Sequence, residues 1–246
     1  MARLNTRFEI KYRITPDHGA ALRRYIERLG HMTPDENGEG GSPLYSVHSL
    51  YLDGPDWSIY RDTRSGNFER FKLRARCYSF SPDAMMFLEV KHRAGEAMWK
   101  TRAPVTRANA LDLLWGGTPD LKSTPAIENF RLWQDRRRAY PRVWVTYRRY
   151  AYVGGVRDLV RITFDTKIMA APPTRDLSEP PKWYPIDDVW HLEVLELKYS
   201  GSYPSWLADA VRKFDLERKA MSKYKYSVDL IQRLGIDDHR DASVDL

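Results

Sequence analysis

Hydrophobic and polar residues alternate along several short stretches of this chain, and the polar positions in those stretches are mostly charged. In the clearest stretch, Phe68–Arg76, the cations Lys72, Arg74 and Arg76 occupy every second position, and Leu73 lies between two of them. Successive side chains of a β-strand point to opposite faces, so this stretch predicts a strand with one purely cationic face. Alternation predicts eight strands in all: Thr6–Ile14, Tyr45–Asp53, Asn67–Ser79, Met86–Arg93, Met98–Val105, Arg142–Val153, Val156–Asp165 and Trp190–Tyr199.

Capping residues and helical spacing predict helices between these strands. Thr15-Pro16 supplies an N-cap and a proline at the first helical position, and Gly30 is placed to end that helix. The predicted helices are Pro16–Leu29, Pro55–Arg64, Arg107–Trp115, Pro125–Ala139, Pro204–Phe214 and Ser222–Leu234.

Two stretches rich in glycine or proline, His31–Pro43 and Thr166–Asp188, are predicted as long loops, and Gly154-Gly155 as a two-residue hairpin turn. Eight strands interleaved with helices favour a single α+β domain over residues 1–246, with 235–246 as a flexible tail. We expect an eight-stranded antiparallel β-barrel with helices packed outside it and the C-terminal helix over one end.

The charged faces of the predicted strands carry ten cations and four carboxylates: Glu9, Lys11, Lys72, Arg74, Arg76, Glu89, Lys91, Lys100, Arg102, Arg149, Arg161, Asp165, Glu196 and Lys198. For one strand alone, a charged face in contact with water is the commoner arrangement. Here charged pairs or triplets recur in seven strands, and amphipathic helices need apolar surface to cover. This combination favours charged faces that line the barrel interior.

Composition agrees with an anionic ligand for such an interior. The net charge is +7 and the pI is near 9.4, which suggests a polyanionic partner. Buried cations repel one another, and a linear chain of phosphates is the simplest anion that reaches many of them at once. The single cysteine excludes an internal disulfide and suits a reducing cytoplasm, and neither a signal peptide nor a transmembrane segment is recognisable.

Other chemistries find little support in the sequence. The six histidines are scattered without metal-ligand spacing, and Cys77 falls on an apolar strand face. The glycines of Gly38–Gly41 lack the lysine and the strand-to-helix setting of a phosphate-binding loop. Nucleic-acid binding would need outward charge and exposed stacking aromatics, so no nucleic-acid partner is expected.

The order of these motifs resembles the VTC domain, the polyphosphate polymerase domain of the triphosphate tunnel metalloenzyme (CYTH-like) superfamily. The motifs that carry the resemblance run from residue 9 to residue 224: Glu9-x-Lys11, Ser49-x-Tyr51-x-Asp53, Lys72-Leu-Arg74-x-Arg76, Glu89-x-Lys91, Lys100-x-Arg102, Tyr147-x-Arg149, Arg161-x-Thr163-x-Asp165, Glu196-x-Lys198 and Ser222-Lys223-Tyr224.

The resemblance implies a tunnel of eight antiparallel strands in which the γ-phosphate of ATP passes to the end of a polyphosphate chain, with Mn²⁺ or Mg²⁺ as cofactor. It implies catalytic phosphate ligands at Lys11, Arg74, Arg76, Lys91, Arg102, Arg149, Arg161 and Lys198. Lys72, Lys100 and Lys223 are further phosphate-binding positions, with a solvated helix residue as the alternative for Lys223. Tyr147 and Tyr51 are expected to line the tunnel and to hydrogen-bond a phosphate or a carboxylate. Glu196 resembles the metal carboxylate, with an ion pair to a neighbouring lumen arginine as the alternative, and Glu9, Glu89 and Asp165 are expected to be charge partners.

Two departures from the family pattern bear on function. The hydrolase branch has a glutamate where this chain has Arg7, which disfavours a two-metal triphosphatase and favours the polymerase branch. The fungal polymerase subunits carry an SPX domain and membrane helices, and this sequence shows neither. We therefore expect a cytoplasmic protein that reaches a membrane only through a membrane-protein partner.

Three functions remain open at this point. The first is ATP-dependent polyphosphate synthesis. The second is metal-dependent hydrolysis of triphosphate or nucleoside triphosphates. The third is a module that binds or senses polyphosphate without turnover.

Overall fold

The structure of the protein is a computed structural model that describes residues 7–35, 42–95, 97–154, 160–177, 180–219 and 221–236. The strands in these residues are β1 (Arg7–Ile14), β2 (Met32–Pro34), β3 (Leu44–Asp53), β4 (Glu69–Cys77), β5 (Met86–Ala94), β6 (Ala97–Val105), β7 (Tyr140–Gly154), β8 (Val160–Ala171), β9 (Tyr184–Pro185) and β10 (Glu193–Ser200). The helices are α1 (Pro16–Leu29), α2 (Ser58–Ser65), α3 (Arg107–Leu114), α4 (Pro125–Arg137), α5 (Asp187–Trp190), α6 (Ser205–Lys213) and α7 (Lys223–Leu234).

All the described strands belong to one antiparallel sheet, whose main path runs β1-β10-β8-β7-β3-β4-β5-β6, while β2 pairs with β7 and β9 with β8. Within the described residues no ladder joins β1 to β6, although Cα atoms of these two edge strands come within 8 Å of each other. The α+β class and the antiparallel sheet are thus confirmed. The expected closure is not, because the described sheet has ten strands and is curled but open.

Alternation sorts the side chains of the sheet onto an outer and an inner face. On the outer face, Leu73 of β4 belongs to one buried apolar cluster with Phe130 of α4, and Leu195 of β10 to another with Leu22 of α1. The inner face carries the charged residues and encloses the space that we call the lumen. Helices therefore cover the apolar face of the sheet, and the charged face points inward.

Helix α7 packs on the inner face and fills one end of the lumen. The ring of Tyr224 stacks on Tyr51 of β3 with 4.9 Å between the centroids, and its hydroxyl donates a 2.5 Å hydrogen bond to Asp53. Val228 and Ile231 are buried in the same apolar cluster as Val145 of β7. The start of α7 is fixed by the Ser222 side chain, which accepts a hydrogen bond from the amide of Lys225.

Most predicted elements are present within a few residues of their expected bounds, as in α1, where Thr15 caps the N-terminus and Gly30 adopts the left-handed conformation at the C-terminus. The loop predicted for His31–Pro43 contains β2, and its residues 36–41 lie outside the described residues. The predicted tail likewise falls largely on 237–246, which are also outside them.

The largest errors concern β8 and its connections. The strand continues to Ala171, into the predicted loop Thr166–Asp188, because a register shift and a left-handed Lys167 (φ 51°) interrupt the alternation without ending the pairing with β7. That loop also contributes β9 and α5. Gly154 pairs with Val160, so the expected two-residue turn is wrong; its second glycine lies in 155–159, outside the described residues.

Within the described ranges, no helix has both the length and the apolar character needed to cross a bilayer.

Candidate functional site

A fully buried carboxylate, Glu89 of β5, is surrounded by cations from both neighbouring strands. The guanidinium of Arg74 on β4 contacts it at 2.6 Å, and Lys100 and Arg102 of β6 lie 3.2 and 3.6 Å away. The register places Arg74, Glu89 and Arg102 in one row across the three strands. Burial opposes ionisation of Glu89, but Arg74, Arg76 and Lys100 outweigh it and hold its pKa well below the usual range.

A second cluster joins β1 and β10 through two carboxylates that share a lysine. Nζ of Lys11 lies 3.1 Å from Glu9 Oε1 and 3.0 Å from Glu196 Oε1. Lys198 contacts Glu196 at 2.8 Å, and Lys223 contacts it at 3.4 Å. Burial disfavours the ionised form of both carboxylates, but the nearby Lys11 and Lys198 outweigh it and keep the pKa values of Glu9 and Glu196 far below the ordinary value of a glutamate. Both therefore remain ionised.

Asp165 of β8 is the centre of a third cluster. Nε and Nη2 of Arg149 donate to its two oxygens at 2.6 and 2.7 Å, a bidentate geometry, and Nζ of Lys223 lies 2.6 Å from Oδ2. Despite burial, Arg149 and Lys223 lower the pKa of Asp165. Lys223 contacts both Asp165 and Glu196, so the N-terminus of α7 connects this cluster to the second one.

Arg76 and Lys72, both on the inner face, make no ion pair in the described part of the chain. Arg76 donates to Ser49 Oγ and Tyr147 Oη, each at 3.2 Å, and Lys72 donates to Ser222 Oγ at 2.9 Å. Arg76 is only 7% exposed; its hydrogen bonds go to neutral oxygen atoms, and it acts on the charge of Glu89 without an ion-pair contact. An anion that binds Arg76 or Lys72 would not have to displace a carboxylate that is already ion-paired with it.

The remaining candidate residues lie around these clusters. Arg161 contacts Asp35 at 2.7 Å and the hydroxyl of Tyr45 at 3.0 Å. Arg74 donates to the hydroxyl of Tyr51 at 2.9 Å. Nζ of Lys91 lies 3.1 Å from Glu9, which brings the inner face of β5 to that of β1. The structure thus gathers the predicted site residues from the strands and from α7 around one lumen.

Asp53 has a structural role that the sequence pattern did not predict. Its carboxylate accepts hydrogen bonds from the amides of Gly54, Ile59 and Tyr60 at 2.7 to 2.9 Å and from the hydroxyl of Tyr224. It therefore ties the end of β3 to the start of α2 and to α7. An acidic residue shortly before a predicted helix is a capping signal that could have indicated the first of these contacts.

A divalent cation would find oxygen donors at Glu196 and Glu9. The described residues contain no group of three or more His, Cys, Asp or Glu side chains suited to a metal ion. Mg²⁺, however, is commonly held by one or two carboxylates together with substrate phosphates and water, and Mn²⁺ also prefers oxygen ligands. The two carboxylates therefore fit a metal ion whose remaining ligands are phosphate oxygens. The alternative expectation for Glu196 is an ion pair with an arginine. The structure contains ion pairs of Glu196, but their partners are lysines.

Comparison with known proteins gives one family and several structural neighbours. The model of the VTC domain family matches residues 6–232. A Bacillus halodurans structure that carries the provisional name adenylate cyclase aligns with a TM-score of 0.50 at 13% identity, covering 94% of this chain and 98% of its own. At that identity the likeness shows the fold alone.

Two further structures align less closely. The PH1819 protein of Pyrococcus horikoshii has a TM-score of 0.47 at 12% identity and covers 92% of this chain and 99% of its own. The capping enzyme triphosphatase of Mimivirus has a TM-score of 0.34 at 12% identity and covers 86% and 89%. The comparison with curated proteins finds no match.

Proposed function

The chain belongs to the VTC domain family, and on that premise we propose that it is a polyphosphate polymerase, which transfers the γ-phosphate of ATP to the end of a polyphosphate chain inside the lumen. The observation that carries this proposal is the lumen itself. Cations from β1, β4, β5, β6, β7, β8, β10 and α7 line the inner face of the curled sheet. A linear row of phosphates can contact all of these strands at once.

Phosphoryl transfer depends mainly on alignment and on stabilisation of charge. In the proposed reaction Arg74, Arg76 and Arg102 hold phosphates of the donor, and Lys11, Lys198 and Arg149 hold phosphates nearer the second and third clusters. Lys72, Lys91, Lys100, Arg161 and Lys223 extend the row, and Tyr51 and Tyr147 donate hydrogen bonds. Glu9, Glu89 and Asp165 position these cations and offset their repulsion before the anion arrives.

The state of the carboxylates favours transfer to phosphate over hydrolysis. A hydrolase activates water with a general base whose pKa lies near the working pH. The pKa values of Glu9, Glu89, Asp165 and Glu196 are all lowered by neighbouring cations, so these groups are poor bases. A terminal phosphate is already an anionic nucleophile and needs no base. Arg7, whose side chain lies outside the described residues, adds a cation where the hydrolase branch has a glutamate.

We propose Glu196, with Glu9 beside it, as the carboxylates that hold Mn²⁺ or Mg²⁺. The metal would supply further positive charge to the donor oxygens when bound. Lys11 occupies the space between the two carboxylates, so it would move toward phosphate as the metal binds. The protein's own contribution is to keep both carboxylates ionised and to hold donor and acceptor in line.

The wider setting is also a proposal. We place the chain as one domain in the cytoplasm, where ATP is the donor, with a membrane-protein partner for any export of the polymer. The family resemblance supports this placement.

The test is a turnover assay with ATP and MnCl₂. We expect ADP and an acid-labile phosphate polymer from the wild type, and a rate about 100-fold lower from Glu196→Gln. Glu193→Gln is the matched control, because Glu193 pairs with Arg23 on the outer face at 2.5 Å. Inorganic phosphate without polymer would select the hydrolase instead, and tight binding without turnover would select a binding module. An undiminished rate in Glu196→Gln would refute the metal role.

A further inference from the structure

A cleft of about 600 Å³ opens where the inner faces of β1, β4 and β5 reach the end of α2 and the start of α7. Besides lumen residues, it is lined by six cations that the sequence-based site does not include: Arg64, Arg70, Arg93, Arg218, Lys219 and Lys225. Glu9 is the sole carboxylate among the described residues that line it. The cleft is therefore more cationic than the clusters deeper in the lumen.

Toward this cleft the inner-face rows of β4, β5 and β6 no longer contain a carboxylate of their own. The row Arg74–Glu89–Arg102 has a buried acid at its centre. The next inner row toward the cleft is Lys72–Lys91–Lys100, and the row beyond it pairs Arg70 with Arg93. Like charges directly opposite each other on neighbouring strands destabilise a sheet. Lys91 and Lys100 have carboxylate partners outside their row, Glu9 and Glu89, whereas Lys72, Arg70 and Arg93 have none among the described residues. A bound anion would relieve the repulsion that remains.

Contacts of the outermost row support this interpretation. Arg70 donates to the carbonyl oxygens of Gly66 and Asn67, and Arg93 donates to that of Gly95 at 2.7 Å. In the described part of the chain neither makes an ion pair with a carboxylate. Burial and the neighbouring Arg93 lower the pKa of Arg70, as expected for a cation without an acidic partner.

The edge of β1 brings two more cations to the same place. The amide of Lys219 donates to the carbonyl of Lys11 at 3.0 Å, and Arg218 forms an isolated bridge with Tyr12. This short addition to β1 lies next to the gap between β1 and β6 and leads directly into Ser222, the cap of α7. Backbone pairing therefore fixes the position of Arg218 and Lys219 at the mouth of the lumen.

We propose that this basic cleft binds the part of a polyphosphate chain that extends beyond the lumen, so that the protein distinguishes long chains from triphosphate. The proposal rests on the proposed function, because it takes the lumen ligand to be polyphosphate. Nucleic acid fits the cleft less well. Sequence-independent binding of a single strand uses rows of stacking aromatics, and of the two rings in the lining, Phe71 is buried beneath Trp133.

The experiment measures affinity for tripolyphosphate and for long-chain polyphosphate by calorimetry on the full chain, without ATP. In the double variant Arg70→Gln/Arg93→Gln we expect affinity for the long chain to fall about ten-fold, while that for tripolyphosphate changes less than about two-fold. The variant relieves a like-charge pair, so its melting temperature should equal or exceed that of the wild type. Arg218→Gln/Lys219→Gln should shift the same ratio in the same direction.

The matched control is Arg136→Gln/Arg138→Gln, which removes two exposed arginines from the end of α4 and should leave both affinities unchanged. Equal losses for both ligands, no loss for either, or an equal loss in the control would overturn the proposal. So would displacement of the long chain by an equal charge concentration of single-stranded DNA. Because ATP is absent, this binding experiment does not depend on turnover. If the turnover assay gives polymer but the affinity ratio is unchanged in the variants, only the proposal for the cleft is refuted. If the ratio changes but the turnover assay gives no polymer, only the polymerase proposal is refuted.

Discussion

Nζ of Lys91 on β5 lies 3.1 Å from a carboxylate oxygen of Glu9 on β1, although five strands separate β1 from β5 along the path of the described sheet. Such a contact requires the sheet to curl until its inner face meets itself. The ion pair links the two ends of the curled sheet across the gap between β1 and β6, where the described residues form no ladder. An anion that competes with Glu9 for Lys91 would therefore weaken this contact between β1 and β5 as well as change the position of the Lys91 side chain.

The first prediction concerns Glu89, whose carboxylate compensates Arg74, Lys100 and Arg102. Glu89→Gln removes a fully buried negative charge and leaves these cations facing one another, so we expect the free energy of unfolding to fall by about 3 kcal/mol. Tripolyphosphate should restore part of this loss, because it supplies the missing negative charge. The shift in melting temperature on adding tripolyphosphate should therefore be larger in Glu89→Gln than in the wild type.

Glu193→Gln is again the matched control, since Glu193 is a buried carboxylate paired with an arginine on the outer face. It should lose stability without changing the shift caused by tripolyphosphate. An equal or smaller shift in Glu89→Gln than in the wild type would contradict the assignment of Glu89 as a partner of phosphate-binding cations.

The second prediction separates two buried arginines by their partners. Arg76 is held by the neutral oxygens of Ser49 and Tyr147, whereas Arg149 is held by Asp165. Arg76→Met removes two hydrogen bonds to neutral groups and part of the charge that keeps Glu89 ionised, so it should cost about 1 to 2 kcal/mol of stability while weakening tripolyphosphate binding about ten-fold or more. Arg149→Met should cost about 3 to 5 kcal/mol, because it leaves a buried carboxylate with one cation fewer.

Urea denaturation and calorimetric titration of the two variants provide the check. The double variant Arg149→Met/Asp165→Leu should recover much of the stability that Arg149→Met loses. If Arg76→Met binds tripolyphosphate as tightly as the wild type, Arg76 does not contact the ligand, and the row of proposed ligands must be redrawn without it.

The faces of the strands could be predicted from the sequence because side-chain alternation is a local property. Residues such as Arg74 and Leu73 are assigned to opposite faces by parity alone, and the charge on seven strands then indicates which face points inward. The pairing of Arg149 with Asp165 is less local. Both residues were recognisable as inner-face residues, but their bidentate contact depends on the register between β7 and β8, and a bulge sets that register.

What could not be predicted depends on contacts between distant segments. The gap between β1 and β6 follows from the curl of the whole sheet, which no single stretch encodes. Arg218 reaches the mouth of the lumen because its backbone bridges to Tyr12, more than 200 residues earlier in the chain. The cluster around Glu9 and Glu196 likewise requires Lys223, and the position of α7 depends on its packing against β3 and β7.

The third prediction uses two lysines whose charge is poised near neutral pH. Burial lowers the pKa of Lys91 and of Lys100 from 10.5 to about 8, although Glu9 and Glu89 oppose the shift. Above pH 8 the folded protein thus holds fewer protons on these lysines than the unfolded chain, which keeps them up to about pH 10.5. Their contribution to the free energy of unfolding should rise with pH between 8 and 10. Phosphate binding favours the charged forms, so affinity for tripolyphosphate should fall over the same interval.

The comparison that checks this uses Lys91→Arg/Lys100→Arg, whose guanidinium groups stay charged throughout. In this variant the affinity for tripolyphosphate should change less between pH 7.5 and 9.5 than in the wild type. Ionisation of the ligand affects both proteins equally, so it does not contribute to the difference between their pH profiles. Parallel pH profiles would show that Lys91 and Lys100 do not titrate against the bound anion. The opposite result would be a wild-type affinity that rises with pH relative to that of the variant. Two lysines that lose their charge cannot bind a phosphate chain more tightly, so this result would place the ligand away from Lys91 and Lys100.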